Sequence, residues 1–465
     1  MRVSSLVATL LASVSLAACA SMAPPYERPA APVPTAWPAG AQAGPSAGDL
    51  AWRDVFEDAR LQKVIDLALA QNRDLRVALA NIEQARAQYR VQRAALLPTL
   101  NAGATANRTR SPAGASPIGI PFDLEQYSAN ASVTSYELDL WGRVRSLSAA
   151  ALQDFFAVEE NRRAAQISLI GEVATAYLTL AADQDQLQLA RDTLKTRDDA
   201  LGLTTRRFQA GATSQVEVRQ AETLAEQART DAAALSAQVE LDRNALRLLV
   251  GADVPADLLP SGDLTGVRLR ADLPAGLPAE VLVKRPDVLA AEHTLQGRNA
   301  NIGAARAAFF PRITLTGSAG TASTELTGLF GGGTAAWSFS PQITLPIFDG
   351  GANKANLGVA KASRDAAVAQ YEKAIQTAFR EVADALAVQS TIRDRVAAQE
   401  RLVEAAADSQ RLSQARYERG VDSYLALLDA QRTLYAARQT LLTTRLAAAA
   451  NRVALYRALG GGGQG

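Results

Sequence analysis

The chain is written twice. Displacing the sequence by 213 positions lays Asn72-Arg73-Asp74 through Ala94-Ala95-Leu96-Leu97-Pro98 over Arg285-Pro286-Asp287 through Ala307-Ala308-Phe309-Phe310-Pro311 without a gap. Asp74/Asp287, Arg93/Arg306 and Pro98/Pro311 coincide. A displacement of 209 then aligns Arg207-Phe208-Gln209-Ala210-Gly211 with Arg416-Tyr417-Glu418-Arg419-Gly420, Ser214 with Ser423, and Gly251 with Gly460. A repeat of this length means that one structural unit is used twice, so a fold assigned to one half must also serve the other. The halves are read as residues 51–251 and 281–460, joined by a connector over 252–280 that carries Pro255, Pro260, Pro274 and Pro278, with 461–465 as a tail.

Each half changes its hydrophobic period in the same order. Ile170, Val173, Tyr177, Leu180, Leu187, Leu194 and Leu201 fall on alternating steps of three and four, a heptad seam. Gln184, Arg191 and Asp198 interrupt that seam and would be costly in a dry core, so a partly wet helical wall is expected. No proline lies between Trp141 and Gly211 or between Gly351 and Gly420, so each stretch can be one helix of about 66 residues, roughly 100 Å long. Residues 60–96, 214–250 and 423–459 read as shorter helices.

Between the helices the period drops to two. Leu100, Ala102, Ala104 and Ala106 alternate with Asn101, Gly103, Thr105 and Asn107, and Tyr127, Ala129, Ala131 and Val133 alternate with Ser128, Asn130, Ser132 and Thr134. The second half repeats this with Ile313, Leu315 and Ala319, then Trp337, Phe339, Ile343 and Leu345. Strands with an apolar face and a small polar face suit a membrane β-barrel; half-buried soluble hairpins share the alternation, and the period alone leaves both open. Four strands cannot close a barrel, and open edges are not tolerated in hydrocarbon, so membrane strands of this number require several subunits to close together. The turn-rich stretches 108–123 and 323–334 are read as the connections.

The N-terminus reads as a signal peptide over 1–18: Arg2, an apolar run from Val3 to Leu16, then Leu16-Ala17-Ala18-Cys19. Small residues before a cysteine at the end of such a run form a bacterial lipobox, so Cys19 is expected to be acylated and to become the first mature residue. Residues 19–50 follow as a lipid-anchored tether, with seven prolines between Pro24 and Pro45 favouring extended chain.

Composition removes most other functions. With one Cys and one His, no metal site of the usual donor set can be completed and no cofactor is implied. A hydrolase would have to rest on His293 alone, whose first-half counterpart is Ala80. The balance of 48 Lys+Arg against 47 Asp+Glu gives no basic surface for nucleic acid.

The lipobox, the duplicated helix-strand-strand-helix halves, Glu137-Leu138-Asp139-Leu140-Trp141-Gly142-Arg143, Arg285-Pro286-Asp287, Pro346-Ile347-Phe348-Asp349-Gly350-Gly351 and Arg416-Tyr417-x-x-Gly420 together resemble TolC-like outer membrane efflux factors of the NodT-type lipoprotein branch. The resemblance implies a mostly α fold with a membrane β-barrel. Three chains with four strands each would form a 12-stranded barrel continuous with a long periplasmic α-helical barrel. It implies a homotrimeric exit duct in the outer membrane, with no enzymatic activity. A periplasmic adaptor protein would connect the duct to an inner-membrane transporter of the resistance-nodulation-division type. A lipid-anchored periplasmic coiled-coil scaffold is the alternative.

The turns between the long and short helices carry the site expectations. Gly211 and Gly420 suit the left-handed residue that ends a helix, and Ser214 and Ser423 are placed to cap the next one. By the resemblance, the tips Arg207, Phe208, Gly211, Ser214, Arg416, Gly420 and Ser423 meet the adaptor. Leu425, Asp429 and Arg432 share one helix face, and the resemblance implies that, with Tyr417, they form a periplasmic gate. The first half has Val216, Gln220 and Thr223 in place of that trio, so a ring built by three copies holds three carboxylates.

Overall fold

In the computed structural model, residues 21–38, 50–115, 119–271, 273–276 and 278–461 are described. The expected signal peptide, Cys19 and most of the 461–465 tail lie outside them. The helices are α1 (Trp52–Val55), α2 (Ala59–Gln71), α3 (Arg73–Ala94), α4 (Arg143–Gln209), α5 (Gln215–Val250), α6 (Pro278–Leu282), α7 (Pro286–Ala307), α8 (Ala352–Glu418) and α9 (Tyr424–Ala458). The strands are β1 (Leu100–Ser111), β2 (Phe122–Glu137), β3 (Arg312–Ser323) and β4 (Ala335–Thr344).

α4 and α8 are each 67 residues long, as the proline-free stretches require. The expected helix over 60–96 is instead two, because Asn72 leaves helical geometry at ψ 134° and restarts the chain with its own side chain. Its Oδ1 accepts from the Leu75 N–H at 2.8 Å while its Nδ2 donates to the Leu249 carbonyl at 2.7 Å. The strands also reach further than the alternation showed: β1 runs to Ser111 and β2 begins at Phe122, so the first connection is shorter than 108–123.

The described residues pack as two units. One comprises Asn81–Glu159 and Ala290–Tyr371 with the described residues up to Ala30. It holds a four-stranded antiparallel sheet in the order β1-β2-β3-β4, so β1 and β4 are free edges. The pairing Leu100↔Val133, Val133↔Gly317 and Gly317↔Phe339 carries one face across all four strands. On that face Trp337, Phe339 and Ile343 are 79%, 62% and 69% exposed, which a water-facing hairpin would not tolerate as a contiguous row. The other face carries Asn101, Thr105, Ser128, Ser318 and Ser338, with hydroxyl pairs Thr105–Ser128 and Ser318–Ser338 at 2.7 and 2.8 Å. The outer end of β1 and β2 is charged: Arg108 pairs with Asp123 and Glu125.

The same unit contains the first part of the proline-rich segment. Its described residues are neither helix nor strand, as expected, yet they are not a free spacer. Arg28 makes a two-pronged ion pair with buried Glu292 of α7 at 2.8 and 2.9 Å, and Tyr26 donates to the same carboxylate. Asn299 and Arg306 donate to the Pro24 and Met22 carbonyls.

The second unit comprises the described residues within Ala31–Ala80, Glu160–Leu289 and Glu372–Gly465. Its core takes the seam residues Ile170, Val173, Tyr177, Leu180 and Leu187, each burying apolar area worth roughly 1.5–3 kcal/mol. Towards the far end of α4 the seam loosens: Arg191 is exposed and Leu194 and Leu201 are half-buried, the wet wall that the interruptions imply. The connector is stitched to the start of the first half by an antiparallel bridge between Phe56 and Leu269. Phe56 in turn meets Tyr456 edge-on at 5.2 Å.

The duplication shows in one lock made twice. Asn72 and Arg285 occupy equivalent positions, and so do Leu249 and Ala458. Arg285 Nη1 donates to the Ala458 carbonyl at 2.6 Å, matching the bond from Asn72 to Leu249. Arg285 also binds Asp287 and Glu381 at 2.7 and 2.8 Å. Gly251 must be glycine here: its φ is +76° and an added Cβ would lie 2.6 Å from the Gln71 carbonyl oxygen.

Candidate functional site

The two helix-hairpin tips are built by identical backbone bonds. The Gly211 N–H donates to the Phe208 carbonyl and the Ala212 N–H to that of Arg207; Gly420 and Val421 donate to Tyr417 and Arg416 in the same way. This pattern ends a helix with one left-handed residue, and Gly211 and Gly420 sit at φ +73° and +74°. The next helices differ. The Ser214 hydroxyl caps α5 by accepting from the Glu217 N–H at 3.3 Å, whereas Ser423 has the extended cap backbone but makes no side-chain cap bond, contrary to expectation.

Tyr417 joins the tips. Its hydroxyl donates to Glu217 Oε2 at 3.1 Å and accepts from Arg207 Nη1 at 3.2 Å, while the Arg207 guanidinium lies over its ring. Burial first, and then the Glu217 carboxylate, raise the Tyr417 phenol above its ordinary range, so it remains a hydrogen-bond donor. Glu217 is held in turn by Thr213. Below this bridge Ala221, Leu224, Tyr424, Leu427 and Leu428 form a small core against which Leu201 and Tyr417 pack. Arg416 is engaged within its own tip by a two-pronged pair with Asp422 at 2.6 and 2.8 Å. Phe208 is exposed.

Leu425, Asp429 and Arg432 do share a face of α9. All three are exposed, on a face of α9 adjoining the one that buries Tyr424, Leu427 and Leu428. Asp429 and Arg432 form no ion pair among the described residues. Sequence reading missed Glu217, Thr213 and Asp422, whose polar types mark any exposed turn. The signal that could have found Glu217 is its spacing, three residues after Ser214 as in a capping box. It also missed Val421, which is 61% exposed directly after the second tip glycine.

No catalytic arrangement accompanies these features. His293 Nδ1 lies 2.7 Å from Gln153 Oε1 and its ring meets Phe156, so the imidazole is a packed side chain with an amide partner. Among the described residues no cluster of His, Cys, Asp and Glu could hold a metal ion.

A duplicated pair of 67-residue helices carrying an edge-open sheet with a lipid-compatible face defines a membrane channel subunit. Residues 64–252 and 277–461 match the model of the outer membrane efflux protein family, one match for each half. The chain belongs to that family. It is 47% identical over 461 residues to the solvent efflux pump outer membrane protein SrpC of Pseudomonas putida, covering 97% of each chain. With outer membrane protein OprJ of Pseudomonas aeruginosa it shares 47% identity over 458 residues, 98% of this chain and 95% of that one. Its fold is similar to that of the MtrE outer membrane channel of Neisseria gonorrhoeae in its open state, with a TM-score of 0.87 and 44% identity over 95% of this chain and 98% of the other. A membrane protein of Pseudomonas aeruginosa gives a TM-score of 0.91 at 47% identity, again over 95% and 98%. The fold is therefore TolC-like, and the protein is an outer membrane efflux channel and not an enzyme.

Proposed function

We propose that three copies form the passive exit duct of a tripartite pump, gated at the periplasmic helix tips, with a periplasmic adaptor and an inner-membrane transporter of the resistance-nodulation-division type as partners. The observation that carries the gate is the Tyr417 bridge between the two tips of one chain, beside the exposed face of Leu425, Asp429 and Arg432. Around a threefold axis that face presents three carboxylates. Two charges 4 Å apart repel by about 1 kcal/mol in water and about 4 kcal/mol at an effective dielectric of 20, so a closed ring needs a cation. Arg432 is unpaired with Asp429 within its chain and supplies that charge to a neighbouring copy, while Leu425 narrows the aperture.

Opening then separates the tips, and the adaptor is the agent that rewards separation by binding Phe208, Val421 and the turn residues Arg207, Gly211, Ser214, Arg416, Gly420 and Ser423. Acylation of Cys19 adds a lipid anchor to the outer membrane. The test of the gate is single-channel conductance in planar bilayers: Leu425→Ala combined with Asp429→Ala is expected to raise conductance and, in cells, uptake of large antibiotics. Conductance and cation preference both equal to those of the parent would remove these residues from the constriction.

A further inference from the structure

The sheet ends in two unpaired strands, yet the chain contains a template for how they meet. Because the halves are repeats, the joint between β2 of the first half and β3 of the second has the same ancestry as a joint between β4 and the β1 of another copy. The offset of 213 places Leu100 over Ile313. Leu100 faces Val133 and Ile313 faces Ile343, so Val133 and Ile343 are equivalent positions. Across β2 and β3, Val133 faces Gly317 and Tyr127 faces Ser323. The equivalents of Gly317 and Ser323 in β1 are Ala104 and Arg110, and that of Tyr127 in β4 is Trp337.

We propose that β4 of one copy joins β1 of the next in this register, with Ile343 opposite Ala104, Gln342 opposite Thr105 and Trp337 opposite Arg110, and with Phe348 closing over Leu100. The joint rests on the trimeric reading above and adds the partner surface to it.

Face parity supports the register against any slip of one residue. A slip of one residue turns every side chain to the other face, and this pairing keeps Trp337, Phe339 and Ile343 on the same face as Leu100, Ala102 and Ala104, and Ser338 and Gln342 with Thr105 and Thr109. It sets the small Ala104 opposite the bulky Ile343 and Ala106 opposite Pro341, while Phe339 lies opposite Arg108. Trp337 meets Arg110 at the charged outer rim, where an indole has both an apolar slab and a cation partner. Pro341 lacks an N–H and gives up at most one bond of the ladder.

The lower end of the joint differs in chemistry from its template. Within the chain, Leu138 donates its N–H to the Ile313 carbonyl and Glu137 pairs with Arg312 at 2.7 Å. The equivalents of Leu138 and Glu137 are Phe348 and Ile347, which are 92% and 93% exposed, and the edge they would meet exposes Leu97 and Leu100 at 70% and 72%. The intrachain joint is closed by an ion pair and the joint between copies by apolar side chains that a single chain leaves in solvent.

Cysteine pairs test the register in the full-length protein purified in detergent. Cα atoms directly opposite on antiparallel strands lie about 4.5–5.5 Å apart, within disulfide range, and diagonal neighbours at about 7–8 Å are beyond it. Oxidation should link Ala104→Cys with Ile343→Cys into dimers and trimers on non-reducing gels, and Thr105→Cys with Gln342→Cys should do the same from the lumen face should the first pair fail to assemble. Ala102→Cys or Ala106→Cys combined with Ile343→Cys should not link, nor should any single cysteine. Native mass is measured on the unoxidised variants. A trimer that links through Ala102 or Ala106, or through neither proposed pair, overturns the register and leaves the trimer standing; a folded parent of one chain overturns both.

Discussion

The proposed gate turns on Tyr417. Its hydroxyl, on the second tip, touches both Glu217 and Arg207 of the first, so replacing it by hydrogen removes the two bonds that tie the tips together. Partly buried hydrogen bonds of this kind contribute about 1 kcal/mol each. Tyr417→Phe should therefore favour separated tips by about 1–2 kcal/mol, read as longer open times in bilayer recordings. Because Arg207→Ala deletes part of the same network, the double change should cost less than the sum of the two single ones. A residue of a different kind is Arg285, buried against the Ala458 carbonyl and two carboxylates. Removing one partner of a fully buried ion pair costs about 3–5 kcal/mol, but Asp287 and Glu381 are each about two-fifths exposed, so the expected loss for Arg285→Ala is about 2 kcal/mol. A lowered melting temperature checks it, with Arg285→Lys recovering only part because an ammonium cannot span three acceptors in the guanidinium's planar fork.

At the scale of elements, α4 and α5 carry an acid pair that the sequence did not reveal. Burial and the neighbouring Asp242 carboxylate push the Asp183 carboxyl up to about 7, and Asp242 Oδ2 is buried without a hydrogen-bond partner. In an unfolded chain Asp183 would titrate near its ordinary value of about 3.9. Between those values the folded form holds a proton that the unfolded form has lost, so the pair's contribution to stability falls as pH rises from about 4 to about 7 and is level above. Asp183→Asn should flatten the pH dependence of melting in that window and raise stability at pH 8; an unchanged profile would show that Asp183 does not hold a proton in the folded protein there. The reason such a pair escapes sequence reading is that it joins residues far apart in the chain, whereas the helices follow from local rules. Both 67-residue helices were legible from missing prolines and bounding glycines, and the four strands from their alternation. The break at Asn72 was not, since asparagine inside an apolar helical pattern reads as an ordinary exposed position until its side chain finds the Leu249 carbonyl. The tips were legible in their glycines and in Tyr417, while Glu217 became meaningful only once the two hairpins lay side by side.

At the scale of the whole molecule, the barrel and the proposed lipid on Cys19 would be two independent ways of staying in the outer membrane, and they can be separated. One acyl chain contributes about 0.8 kcal/mol per buried methylene and alone binds reversibly, but a lipobox cysteine acylated on both its thiol and its amino group carries more than one chain and is held stably. A closed barrel leaves no unpaired edge in hydrocarbon and does not dissociate on that scale. The described chain is held from Met22 onward: Arg306 holds the Met22 carbonyl only six residues before β3 begins, and Arg28 is paired with Glu292. A lipid on Cys19 would add to the hold of the barrel without being required for it. Cys19→Ser should accordingly abolish palmitate labelling and lipoprotein-type signal cleavage, while the protein still fractionates with the outer membrane and runs in detergent at the mass of about three chains. Labelling that persists would rule out Cys19 as the acylated residue. Recovery of the variant in the soluble periplasmic fraction would show that the strands need the lipid to insert, and a detergent mass of one chain would show that the lipid guides assembly as well as anchorage.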